Sequence, residues 1–212
     1  MTRMIFIRHG LSMGNLACVS SGQIDWELAP LGIEQASLAK EYIVANEKVD
    51  AVYASDLKRA ITTARPVAEH FGLPINTDAR LREIDTGDWA GVSLITIKEN
   101  YAEHRAKLAT HTSGVHYPNG ESYDELRARV VESAREIAEA NDGKSVVLAV
   151  HQGVVRSIFF ESRDGGCDID PDAKLENASI HIFDYYDGVF HPVRINIVPY
   201  PAELEYDYKK GI

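Results

Sequence analysis

The chain has 212 residues, 45% hydrophobic and 25% charged, with 15 Gly and 8 Pro, which fits one packed α/β domain and excludes a disordered or fibrous polymer. A formal net charge of -10 disfavours long polyanions, because neutralising many phosphates takes a surplus of Lys and Arg along one surface; no nucleic-acid partner is expected. No apolar run approaches the roughly 18 residues of a membrane span, and the stretch ending at Arg8 is too short for a secretory leader, so a cytoplasmic protein with no membrane partner is expected.

Met4 to Ile7 is a short apolar run that reads as a buried strand delivering Arg8-His9-Gly10 to its C-terminal end. After an irregular stretch, Pro30 introduces a helix from Leu31 to Val44, with Ala36, Leu38, Ala39, Tyr42 and Ile43 near helical spacing. Val49 to Ala54 is a second strand. Ser55 or Asp56 can cap the helix through Leu57, Ala60, Ile61 and Ala64, which Pro66 should break or kink. Leu73 to Ile75 is extended, and Leu81 to Trp89 is a polar loop. Ser93 to Thr112 is helical by composition but poorly patterned, so a peripheral helical insertion is placed at about 93–120.

Pro118-Asn119-Gly120 is a turn, and Ser122 to Glu125 has capping-box spacing at the head of a helix running to Ala140. Ser145 to Val150 is the clearest buried strand; it ends at His151-Gln152-Gly153, before an apolar helix from Val154 to Phe160. Ser179 to Tyr185 and Val189 to Val198 read as antiparallel edge strands. The domain is expected over 1–198, with 199–212 a mobile polar tail from Tyr200. This order predicts an α/β fold: a mainly parallel mixed sheet with helices on both faces, a three-layer sandwich. In such sheets ligands sit beyond the carboxyl ends of the strands.

Two strands therefore end in histidine, each followed by a glycine that lets backbone approach a ligand. Either histidine alone could be a hydrogen-bonded core residue. Together, and with Arg8 and Arg59 nearby, they suggest an anion pocket with a nucleophile. Taken singly, Arg59 would be a surface ion-pair residue, Glu83 a solvated loop acid and Asn15 a turn or cap residue. Cys18 and Cys167 form no metal or disulfide spacing, and the other six histidines show no ligand spacing, so no metal site is expected.

The ordered set of motifs goes further. Arg8-His9-Gly10-Leu11-Ser12-Met13-Gly14-Asn15 is followed by Leu31-Gly32 through Gln35-Ala36, then Ser55-Asp56-Leu57-Lys58-Arg59-Ala60. Leu81-Arg82-Glu83, Gly87 to Gly91, Pro118 to Ser122 and Val150-His151 complete it. Across most of its length the chain resembles the histidine phosphatase superfamily, the phosphoglycerate mutase-like proteins. The resemblance implies that His9 is a nucleophile that becomes phosphorylated, that Arg8, Arg59 and His151 grip phosphoryl oxygens, that Asn15 hydrogen-bonds them, and that Glu83 is the general acid. Ser21, Gly22 and Gln23 stand where the family's substrate loop lies. Gln152 replaces the glycine most members carry after the second histidine, as in the fructose-2,6-bisphosphatase branch; its backbone amide can still point at phosphate.

Elementary chemistry agrees with these roles. Guanidinium forks match phosphate oxygens, neutral imidazole attacks without a metal, and a carboxylic acid can protonate a leaving alkoxide. The expected activity is a cofactor- and metal-independent phosphomonoesterase acting on a small phosphorylated metabolite, as monomer or homodimer. The alternative is a phosphoglycerate mutase, disfavoured because Ser21 to Asp25 lacks the aromatic pair that typical mutases carry there. A non-catalytic phospholigand-binding module would be expected to lack His9 or Glu83, and both are present.

Overall fold

The computed structural model describes residues 1–109, 113–162 and 174–206. In chain order they form β1 (Thr2–Arg8), α1 (Met13–Leu16), α2 (Pro30–Asn46), β2 (Ala51–Ala54), α3 (Lys58–Phe71), β3 (Ile75–Thr77), α4 (Leu94–Asn100), α5 (Ala102–Ala109), α6 (Tyr123–Ala140), β4 (Ser145–Val150), α7 (Gln152–Glu161), β5 (Ile180–Tyr186) and β6 (Val189–Ile197). One six-stranded sheet has the order β3-β2-β4-β1-β5-β6. The four strands from β3 to β1 are parallel, and β5 and β6 add antiparallel strands beside β1.

The unbroken apolar runs of β1 and β4 follow from burial on both faces. Met4, Phe6, Val146, Leu148 and Val150 pack with residues of α6 and α7, including Leu126, Val130, Val154 and Ile158. Their alternates Ile5, Ile7, Val147 and Ala149 pack with Ala39 and Ile43 of α2 and Ala64 and Val67 of α3. The chain thus leaves adjacent strands β1 and β4 toward opposite faces, which opens a crevice at their carboxyl ends, the usual ligand position in such sheets. On the α2 side the crossing is tight: a Cβ on Gly10 would lie 2.3 Å from the carbonyl oxygen of Gly32, and one on Gly32 would lie 2.1 Å from that of Leu11. Gly10 therefore makes room for α2, not for a ligand as the sequence suggested.

Several expectations change in the structure. Pro66 lies inside α3 without breaking it, because the buried face of Ala60, Thr63, Ala64, Val67 and Ala68 holds the helix against the sheet. Neither Ser55 nor Asp56 is its N-cap; Leu57 is, and the amide of Lys58 donates to Asp25 instead. Asp56 makes a two-point ion pair with Arg82. Of the two strands expected at the edge, β5 is interior and β6 alone is an edge, since β5 pairs β1 on one side and β6 on the other. After β6 the chain stays on the domain: Tyr200 is buried, and Gln35 donates to the carbonyl of Leu204. Residues 207–212 of the expected tail, Cys167 and His111 lie outside the described residues.

The capping box at Ser122 is present as read, with Glu125 closing it. The stretch expected to be an insertion holds α4 and α5, whose Ile97 and Leu108 form a small separate core with Trp89. No described helix is long and apolar enough to cross a membrane.

Candidate active site

The register Arg8↔Val150 and the ladder bond from the His9 amide to the Val150 carbonyl, 2.8 Å, place His9 beside His151 at the sheet edge. Their ring centroids are 5.2 Å apart at 60°. Both rings are buried, and both are held neutral, their proton affinity pushed well below the ordinary range by burial and by the Arg59 charge, to which Arg8 adds at His9 and Arg129 and Arg8 add at His151. The two tautomers differ. The Nδ1 of His9 is 2.7 Å from the Gly10 carbonyl, which only accepts, so Nδ1 carries the proton and Nε2 keeps its lone pair. The Nδ1 of His151 accepts from Nε of Arg59 at 3.3 Å, so its proton is on Nε2, a buried atom with no partner among the described residues. One ring offers a nucleophilic nitrogen and its neighbour a hydrogen-bond donor.

Arg59 is fully buried at the start of α3, and burial lowers its pKa to about 10, which leaves it cationic at neutral pH. Its Nη1 and Nη2 donate to the carbonyls of Ile24 (2.7 Å) and Gly22 (2.8 Å), so it supports the Ser21–Gly22 loop as well as His151. Three of the five N–H groups of a guanidinium are used this way. Arg8 donates Nη1 to the Leu175 carbonyl, and its buried Nε has no partner among the described residues. The protein acceptors described for Arg8 and Arg59 are carbonyls and an imidazole nitrogen, not carboxylates. Two buried cations with neutral partners are costly until an anion joins them.

A cleft of about 260 Å³ opens on this cluster. Arg8, His9, Asn15 and Arg59 line it together with Ser21, Gly22, Glu83, Gln152 and Gly153. The hydroxyls of Ser21 and Thr86, both on the cleft, are buried without a partner among the described residues. Asn15 has a double position. Its Oδ1 closes the cap of α1 by accepting from Ser12, which leaves its amide nitrogen for the cleft. Gln23 does not line the cleft; its amide donates to the Glu83 carbonyl at 3.2 Å and its oxygen meets Arg82.

Glu83 sits in a segment that is neither helix nor strand. Its carboxylate accepts from the amide of Ile84 at 2.9 Å and from that of Gly153, the second residue of α7, at 3.1 and 3.2 Å. A Cβ on Gly153 would lie 2.2 Å from Oε1 of Glu83. The glycine after the second histidine thus admits the carboxylate, which corrects the reading that it clears space for a ligand.

Sequence reasoning missed Leu94, Tyr117, Tyr123 and Arg156, which also line the cleft. The two phenol oxygens are 3.3 Å apart, and burial pushes both phenols up. Signals existed: Tyr117 and Tyr123 flank the Pro118 to Ser122 motif, and Arg156 stands one helical turn beyond Gln152. Asn177 was also missed; it donates to the His9 carbonyl at 3.1 Å. Larger surface grooves, one along α6 and one beside α3, hold no comparable cluster. No group of three or more His, Cys, Asp or Glu among the described residues could hold a metal.

Phosphoglycerate mutase-like protein 4 of Arabidopsis thaliana is 31% identical over 187 residues, 87% of this chain and 80% of the relative. The metal-independent phosphoserine phosphatase of the same plant is 30% identical over 183 residues, 85% and 75% of the two chains. A mycobacterial glucosyl-3-phosphoglycerate phosphatase solved with VO3 superposes with a TM-score of 0.79 at 28% identity, covering 92% of this chain and 98% of the other. The phosphoserine phosphatase of Entamoeba histolytica shares the fold, with a TM-score of 0.79 at 24% identity over 92% of this chain and 97% of that one. The model of the histidine phosphatase superfamily (branch 1) matches residues 4–198, and the chain belongs to that family.

Proposed function

We propose that this phosphatase hydrolyses small phosphate esters in two steps on His9. The lone pair of His9 Nε2 attacks phosphorus while the bond from phosphorus to the ester oxygen breaks. Arg8, Arg59 and the Nε2 proton of His151 take the charge on the phosphoryl oxygens, and the amide of Asn15 adds a further donor. Glu83 gives its proton to the leaving oxygen. Water then attacks phospho-His9, Glu83 takes a proton from that water, and inorganic phosphate departs. Gln152 and the Ser21–Gly22 loop border the phosphoryl site, and Leu94, Tyr117, Tyr123 and Arg156 face what leaves.

The observation that carries this reading is the pair of neutral, adjoining imidazoles in opposite tautomers, flanked by two buried guanidiniums. Nothing in the proposed chemistry needs a cofactor. The test is rapid quenching at alkaline pH during turnover of an activated ester, with mass spectrometry of the peptide carrying His9, in buffer with EDTA. Phospho-His9 with an undiminished rate is expected; no phosphorylated His9, or a rate restored only by a divalent ion, overturns the proposal. The substrate panel starts with phosphoserine, glucosyl-3-phosphoglycerate and 3-phosphoglycerate, compounds in the names of relatives and neighbours. Adding 2,3-bisphosphoglycerate to the last separates hydrolysis from mutase activity.

A further inference from the structure

Arg129 of α6 is a guanidinium of a different kind from Arg8 and Arg59. Its Nη1 donates to the carbonyls of Arg80 (2.7 Å) and Arg82 (2.8 Å), and its Nη2 to the carbonyl of Glu83 (3.0 Å). Nε and Nη2 also close a two-point contact with Glu121, both at 2.7 Å. All five of its donors are thereby engaged within the protein, so it has none to offer a ligand. Glu121 in turn accepts from the amide of Asp85 at 2.8 Å. One side-chain pair therefore grips the main chain at Arg80, Arg82, Glu83 and Asp85, on both sides of the acid.

That grip is needed because residues 83–86 belong to no helix or strand. Their neighbours are held by backbone crossings: the amide of Glu121 donates to the Asp85 carbonyl and that of Asp88 to the Pro118 carbonyl. At Glu83 itself, the described donor to the carbonyl oxygen besides the Gln23 amide is Arg129. The carboxylate end is fixed separately, by the amides of Ile84 and Gly153. The side chain of Glu83 is thus tied at its base by α6 and at its tip by α7.

We infer that Arg129, buttressed by Glu121, is a positioning residue that sets where Glu83 meets the leaving oxygen. This rests on the proposal that Glu83 is the proton donor. A planar fork can reach three carbonyls and a carboxylate at once; a lysine ammonium, with three donors on one atom, cannot span them. Proton transfer to the leaving oxygen is sensitive to a displacement of this carboxyl, and a misplacement of about 1 Å can cost about 10²-fold. Attack by His9 is less sensitive, because the phosphoryl site is built on β1, β4 and α3, and Arg129→Lys keeps the positive charge that acts on His151. Loss of the grip should therefore resemble loss of the acid and spare the rest.

The experiment compares kcat/KM, which reports the first step, for an alkyl phosphate and for p-nitrophenyl phosphate, whose leaving group needs almost no proton. Arg129→Lys is expected to lower the alkyl value by about 10²-fold and the aryl value by less than about threefold. In the double variant with Glu83→Gln, the alkyl rate should fall no further than in Glu83→Gln alone. Glu121→Gln, which keeps the shape of the buttress, is expected to show the same leaving-group pattern at about a tenth of the amplitude, and it serves if Arg129→Lys does not fold. Equal losses on the two esters, no loss on either, or additive losses with Glu83→Gln overturn the inference. Glu83→Gln run alongside separates the two claims. If it shows leaving-group dependence and the Arg129 and Glu121 variants do not, positioning alone fails; if it shows none, the role of Glu83 falls and the inference with it.

Discussion

The two ends of the cleft are built by different means. At the proposed phosphoryl end, His9 and His151 follow adjacent parallel strands whose register is fixed by the hydrophobic pattern on both faces of the sheet, and Arg59 stands at the start of α3. At the proposed leaving-group end, Glu83 and Tyr117 lie in crossing loops, Leu94 opens α4, and Tyr123 and Arg156 come from α6 and α7. The first end has rigid rings, buried cations and donors without partners among the described residues; the second has a carboxylate already holding two amides. Charge stabilisation needs preorganised dipoles, which strand ends supply, whereas leaving groups vary and are read by loops that can vary without disturbing the sheet.

The comparison breaks most completely at the nucleophile. His9→Ala is expected to lower turnover of every ester by about 10⁴-fold or more, alkyl and aryl alike, since no other group carries the phosphoryl intermediate. Inorganic phosphate should still bind, because Arg8 and Arg59 remain. Steady-state rates together with calorimetric phosphate titration check both halves; a variant that keeps a tenth of the rate excludes His9 as nucleophile.

At the other end the loss should be selective. Glu83→Gln is expected to slow an alkyl phosphate by about 10² to 10⁴-fold, the usual value of general acid catalysis, while p-nitrophenyl phosphate slows far less. Phospho-His9 should accumulate if hydrolysis has lost its base. Burst-phase kinetics on both esters measure this, and equal losses would mean that Glu83 only shapes the cleft.

Arg59 joins the two ends, since it borders the phosphoryl site and also holds the Gly22 and Ile24 carbonyls. Arg59→Ala should cost about 2 to 4 kcal/mol in kcat/KM, the range for losing a buried charge-assisted contact. Arg59→Lys should recover little of it, because an ammonium cannot replace a fork shared between two carbonyls, His151 and phosphate. Full recovery with Lys would reduce Arg59 to a point charge.

What could be read in the sequence divides along the same line. β1, β4 and their terminal histidines were legible because continuous apolar runs mark strands buried on both faces, and Ser122 to Glu125 announced α6 through cap chemistry alone. Asp56 misled as a cap because its partner, Arg82, is 26 residues away and no local pattern records that ion pair. Gly10 and Gly153 were legible as close approaches, but what approaches is α2 in one case and Glu83 in the other. Tyr117, Tyr123 and Arg156 went unread because aromatic residues beside a turn and an arginine on an apolar helix look like ordinary packing and surface until the loops cross.

The smallest effect sharpens the contrast through stability. His9, His151 and His181 are all buried and neutral, and His181, on β5 beside the phosphoryl end, has its pKa lowered to about 3 by burial and by Arg8. Both of its ring nitrogens are engaged: Nδ1 accepts from the Asn196 amide, and Nε2 lies 3.0 Å from the Ser179 hydroxyl. In the unfolded chain each histidine titrates near its ordinary value of about 6.5. Below that pH the unfolded state binds protons that the native state refuses, so stability falls as the medium becomes more acidic. The slope is about 1.4 kcal/mol per pH unit for each such group, and for His181 it persists from about pH 6.5 to its native value. Above about pH 6.5 the three contribute no slope. Carboxylates held below their usual range by ion pairs, such as Asp56, add their own acid loss only around and below about pH 4, so the interval between isolates the histidines. Urea unfolding of wild type and His181→Gln at several pH values between 5 and 8 tests this. The variant is expected to lose about a third of the slope below about pH 6.5 and none above it; an unchanged slope would mean that His181 takes up its proton in the native state at ordinary pH.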